Sequence, residues 1–158
     1  MSLLTLNSSE AIERKDVIQR MKELRPSDLV ILIRKPDLGG EYLLGMYSVE
    51  QDEENPDLRR FKLWQESFDD LNIYSETVRC SPDQPIRVKR DATSIYVRRI
   101  NPGGEVTKVN QEDHLVWWAA CVPGLAGIDP ATLKKAALAR GYSTGLVEYQ
   151  EVLYAPRR

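Results

Sequence analysis

Leu29-Val30-Ile31-Leu32-Ile33-Arg34-Lys35-Pro36-Asp37-Leu38-Gly39-Gly40-Glu41-Tyr42-Leu43-Leu44-Gly45-Met46-Tyr47-Ser48-Val49 reads as two strands turned back on a glycine pair. Leu29 to Ile33 is an unbroken apolar run bounded by Asp28 and by Arg34, Lys35 and Pro36. Such a run suits a strand covered on both faces, so it is expected at the centre of a sheet. Gly39 and Gly40 supply the positive-φ positions of a tight connection, and Tyr42 to Val49 forms the returning strand of a hairpin. Gly45 is the expected place for a bulge.

Before this hairpin, Asn7 and Glu10 have capping-box spacing, and Ala11, Val17, Ile18, Met21 and Leu24 recur at near-helical intervals until Pro26. An N-terminal amphipathic helix follows from that pattern. After the hairpin, Gln51 to Arg60 is nearly all polar around Pro56 and reads as an exposed loop. Phe61 to Gln65, Ile73 to Cys80 and Ile86 to Arg90 read as strands. Ser94 to Ile100 and Glu105 to Val109 alternate across Asn101, Pro102, Gly103 and Gly104, the pattern of a second hairpin.

The periodicity then changes. Asn110 and Asp113 can cap a helix through Leu115 to Val122, which Pro123 and Gly124 end, and Asp129, Pro130 and Gly141 bracket another. Leu146 to Tyr154 reads as a last strand. The expected fold is therefore α+β: an N-terminal helix, a mainly antiparallel sheet of about seven or eight strands, and two helices before the last strand. No linker or repeat divides residues 1–158, so one domain is expected.

The composition is that of a globular protein, with 42% hydrophobic and 29% charged residues. A net charge of −2 gives no overall attraction to nucleic acid or an anionic membrane. Met1 to Leu6 lacks the features of a signal peptide, and the longest uncharged apolar stretch, Leu115 to Ile128, is too short and too broken to span a bilayer. No membrane association and a cytoplasmic location are expected. Cys80 and Cys121 read as reduced thiols, with Cys121 a small core residue.

Gly141-Tyr142-Ser143-Thr144-Gly145 matches the letters of a nucleophile elbow, but here a helix precedes the serine and a strand follows it, the reverse of the required order. It reads as a helix C-cap and a polar turn. His114, the single histidine, precedes that serine and reads as a partly exposed residue in the first turn of a helix. No metal site is expected from one imidazole and two unrelated cysteines, and no glycine loop for nucleotide phosphates is present, so no cofactor is expected. Ala137 and Gly141 have the spacing of a helix-turn-helix first helix. The segment after Ser143 carries Glu148 and Glu151 and no cation before Arg157, so sequence-specific DNA binding is not expected.

Two features point towards function. Residues 79–108 hold seven Lys or Arg and three Asp or Glu, whereas residues 41–72 hold nine acids and three cations. If Ile86, Val88, Ile95 and Val97 face the core, alternation puts Arg87, Lys89, Tyr96 and Arg98 together on the opposite face, where cations beside an aromatic ring suit an anionic ligand. The second feature is the helix at Leu115 to Val122, apolar on every side, which must be surrounded or lie at an interface. Leu115, Trp118, Ala119 and Val122 share the stripe expected to face the sheet, which leaves Trp117 for the outside, at the centre of a two-fold homodimer contact to which Trp118 and Cys121 also contribute.

These features lead to a non-catalytic binding or assembly module acting through protein partners. The alternatives are an enzyme or carrier for an anionic small molecule using the basic strand face, and a weak binder of single-stranded RNA. No motif amounts to a family resemblance.

Overall fold

The computed structural model describes residues 15–154. Residues 15–23 form helix α1; the Asn7 and Glu10 capping box lies outside the described residues. Seven strands follow the order of the chain: β1 (Val30–Asp37), β2 (Gly40–Gln51), β3 (Leu58–Ser67), β4 (Asp70–Arg79), β5 (Ile86–Arg90), β6 (Ser94–Arg99) and β7 (Tyr149–Tyr154). Helices α2 (Gln111–Cys121) and α3 (Lys134–Ala139) lie between β6 and β7, with 3-10 turns at Pro123–Leu125 and Pro130–Thr132. The strands make one antiparallel sheet in the order β1-β2-β3-β4-β5-β6-β7, as the α+β reading expected.

Three details of the strand reading are corrected. The apolar run at Leu29 to Ile33 leads into β1, an edge strand that begins at Val30, and Ile31 is 38% exposed against 7% for Leu32. One face of β1 is covered, and the apolar residues of its other face meet solvent. The irregularity expected at Gly45 falls on its partner strand, where the register shifts between Ile31 and Ile33. Gly45 sits close under β1: a Cβ there would press on the Leu29 side chain at 2.6 Å and approach the Val30 carbonyl oxygen at 3.1 Å. Glu105 to Val109 forms no strand. β6 pairs instead with β7, fifty residues on, with Arg98 opposite Gln150.

Cross-strand pairs show which side chains share a face. Met46 lies opposite Leu63, Phe61 opposite Glu76, Val78 opposite Arg87, and Arg87 opposite Arg98. This face changes character across the sheet. Its β2–β4 part supplies Leu44, Met46, Phe61, Leu63 and Val78 to the core, where they meet Val116 to Ala120 of α2. Beyond β4 it becomes polar. Leu133, Ala137 and Tyr142 join the same core, so α2 is buried from His114 to Ala120.

That burial answers what surrounds an all-apolar helix. Trp117 is 0% exposed: its ring meets Trp118 and Tyr142 edge-on at 5.2 and 5.0 Å, and its Nε1–H donates to the Arg79 carbonyl at 3.0 Å. The expected outward placement of Trp117 is corrected. Trp118 is also buried. Cys121 is bonded to Cys80 in a disulfide, with Cα atoms 5.6 Å apart, so the reduced-thiol reading is corrected as well. The end of β4 and the end of α2 meet in space, and separation along the chain did not reveal it. The three residues assigned to an intersubunit contact are thus held within one chain.

On the opposite face of the sheet, Arg25 at the end of the α1 segment binds Glu66 of β3 through Nε and Nη2, both at 2.7 Å, and Trp64 Nε1–H donates to the same carboxylate at 2.6 Å. Burial raises the Glu66 carboxyl, but these bonds outweigh it and hold the group below the usual carboxylate range.

Candidate functional site

Arg87, Lys89, Tyr96 and Arg98 do share one face, because Arg87 pairs with Arg98 and Lys89 with Tyr96 across β5 and β6. The face is the reverse of the one expected. It is turned towards α2, and Ile86, Val88, Ile95 and Val97 lie half-buried on the other side. The reason is charge compensation. Arg87 is 1% exposed and donates from Nε and Nη2 to the two oxygens of Glu76 at 2.7 and 3.1 Å, and from Nη1 to Asp113 at 2.8 Å. Glu112 lies 3.6 Å away. A guanidinium held by two points on one carboxylate and a third on another can be buried where an unpaired one could not. Burial lowers the Arg87 pKa, yet its carboxylates raise it above the ordinary arginine value.

Arg98 is less enclosed. It donates to the same Asp113 oxygen at 3.1 Å and to Gln150 Oε1 at 2.6 Å. Tyr96 donates its hydroxyl to Asp91 at 2.9 Å, and that bond raises the phenol pKa. Asp91 also accepts from the Thr93 and Ser94 amides, which form the β5–β6 turn. Lys89 has no carboxylate within ion-pair distance among the described residues.

These side chains line a cleft of about 490 Å³, with Glu112 of α2 among its lining residues. Leu44 and Leu63 supply apolar lining, and Gln65 and Tyr74 add polar groups. Gln65 Nε2 donates to Tyr42 Oη at 3.0 Å and Gln65 Oε1 accepts from Tyr74 at 3.4 Å, which fixes the amide. The cleft has the size and the mixed lining of a small-molecule site. Glu76, Tyr74 and Glu112 belong to it and were not recognised from sequence. Glu76 sits in a strand where alternation gives its face but not its partner.

His114 is fully buried, which corrects the partly exposed placement. Its Nε2 lies 2.8 Å from Glu148, whose oxygens also accept from the Asn101 amide at 2.9 Å and Asn110 Nδ2 at 2.6 Å. The cluster clips the segment before β7 onto the β6–α2 loop. Ser143 is exposed and its Oγ accepts from the Gly145 amide, while Gly141 ends α3 at φ +88°, which is the C-cap and polar turn read from the sequence. His114 and Ser143 thus have other partners. Among the described residues, no helix is long and apolar enough to cross a membrane.

Comparison with models of known families, with curated proteins and with solved structures finds no match.

Proposed function

We propose that the protein is a binding module or carrier for a small organic anion held in the cleft between α2 and strands β3–β6. The observation that carries this reading is the convergence of Arg87, Lys89, Tyr96 and Arg98 on one concave site of about 490 Å³. Arg87 is committed to Glu76 and Asp113 and acts as the fixed floor. Lys89 and the outer edge of Arg98 supply the charge, and Leu44 and Leu63 the apolar contact. Arg87, Lys89, Arg90 and Arg98 line the site with Glu76, Asp91 and Glu112, and Asp113 binds both Arg87 and Arg98, so Lys89 is the cation on this face without an ion pair among the described residues.

The test is calorimetric titration with a panel of small carboxylates and phosphate monoesters. A saturable ligand should bind, weaken as salt is added, and be lost with Lys89→Glu. If no member binds, or the hit is indifferent to Lys89→Glu, the reading fails.

A second reading, a module for protein partners, is favoured by β7. It is an edge strand whose residues are all exposed, Tyr149, Val152, Leu153 and Tyr154 among them, so its free backbone edge could take another strand. Slowed amide exchange confined to 149–154 in the presence of a partner would support it. Unchanged exchange there with a verified partner bound would remove it.

A further inference from the structure

We infer that the sheet face turned away from α2 carries a second, separate site, a pocket for a small amphiphilic anion with one anionic group and an apolar portion. The register builds it row by row. Lys62 stands opposite Ser75, and Arg60 opposite Thr77, which stands opposite Val88; at the end of β5, Arg90 faces Ile95. Two strands therefore offer cations and hydroxyls while the next two offer branched apolar side chains. All of these line a cavity of about 600 Å³, within the range of small-molecule pockets.

The wall on the β2 side is shaped by a bulge. The register of β2 against β3 shifts between Tyr47 and Glu50, and Ser48 takes φ +52°, a left-handed conformation uncommon for serine. Its amide is held by Asp28 Oδ2 at 2.8 Å. Bulges bend a strand and re-aim its side chains, and this one sets Ser48 and Glu50 on the pocket lining.

The charges define the ligand. Arg60 is taken by Asp52 at 3.0 Å, while Lys62 is exposed and has no carboxylate within ion-pair distance among the described residues. A lysine ammonium beside serine and threonine hydroxyls suits the oxygens of a sulfonate, phosphate or carboxylate. Val88 and Ile95 then cover the ligand's apolar part. A long polyanion does not fit the surroundings, because Glu50 stands on the lining and the adjoining loop carries Asp52, Glu53, Glu54 and Asp57.

The site is separate from the cleft under α2, although Glu76 and Arg90 line both and are therefore left unchanged in the test. The probe is 8-anilinonaphthalene-1-sulfonate, a sulfonate on an aromatic frame, followed by fluorescence and calorimetry on the full chain. Saturable, salt-sensitive binding is expected. Lys62→Glu should weaken it about ten-fold or more, while Lys62→Arg and Lys89→Glu change it by less than about two-fold. Lys62 is exposed, so these variants should melt as the parent does. Inorganic sulfate should bind far more weakly than the probe. Absence of saturable binding, equal binding by Lys62→Glu, or sulfate binding as tightly as the probe would overturn the inference. Loss with Lys89→Glu but not Lys62→Glu would also overturn it, by placing the anion in the cleft under α2 and leaving that proposal standing.

Discussion

Arg87 of β5 reaches diagonally to Glu76 of β4, with side chains 1% and 3% exposed, joined by two hydrogen bonds of 2.7 and 3.1 Å. The pair lies where the sheet face passes from an apolar core to a polar cleft. It supplies the charge match that lets β5 turn its cations inward, and Asp113 of α2 extends it to Arg98.

Removing one partner should therefore cost more than removing both. Glu76→Ala leaves a buried guanidinium short of a carboxylate and should destabilise the protein by about 3–5 kcal/mol, whereas Arg87→Met combined with Glu76→Leu should recover most of that loss. Urea unfolding of the three proteins measures this. A single variant within about 1 kcal/mol of the parent would mean that the pair contributes little.

The Cys80–Cys121 bond closes a loop with a sequence separation of 41 and ties the end of β4 to the end of α2. A closure of that length should contribute about 4 kcal/mol by restricting the unfolded chain. Cys80→Ala with Cys121→Ala, or the parent under reductant, should unfold at correspondingly lower urea. The native protein should resist thiol alkylation until it is reduced. Ready alkylation of both cysteines without reductant would contradict the bond.

Glu148 gives the pH dependence a definite sign. Burial raises its carboxyl, but hydrogen bonds from His114, Asn101 and Asn110 outweigh this and hold it below its ordinary value of 4.5. A carboxyl depressed on folding contributes its full stability above the unfolded pKa and loses it as pH falls through the folded one. The melting temperature should therefore drop as pH falls below about 4.5, and Glu148→Gln should show a shallower drop from a lower starting value. Parallel curves for the two proteins would count against this role. Glu66, held by Arg25 and Trp64, works in the same direction.

Adjacent positions in β1 should respond in opposite ways. Ile31→Asp points into solvent from an edge strand and should cost about 1 kcal/mol or less. Leu32→Asp puts an unpaired charge against α2 and should unfold the protein or cost more than about 4 kcal/mol. Thermal melting of both variants decides it, and equal effects would show that β1 is covered on both faces.

The α+β class, the first hairpin and the two helices before the last strand were legible because each rests on local chemistry. Gly39 turns the chain at positive φ and Gly40 begins the returning strand, and Asp129, Pro130 and Gly141 mark the limits of the α3 region. The four residues of the cleft were also legible as a set, since alternation in β5 and β6 puts them on one side. Glu76, Tyr74 and Glu112 were not, because nothing in their own segments points to Arg87.

By itself, the sequence determined the periods of the elements and so which residues travel together on one face. The tertiary structure alone decided which face is inside, which strand is an edge and which cysteines meet. An alternating strand of cations and β-branched residues can turn either side inward, and the choice depends on what waits there. For β5, carboxylates 11 and 26 residues away, on β4 and α2, pair with Arg87 and so permit its burial. Such compensation is a property of three elements brought together, so no window along the chain contains it.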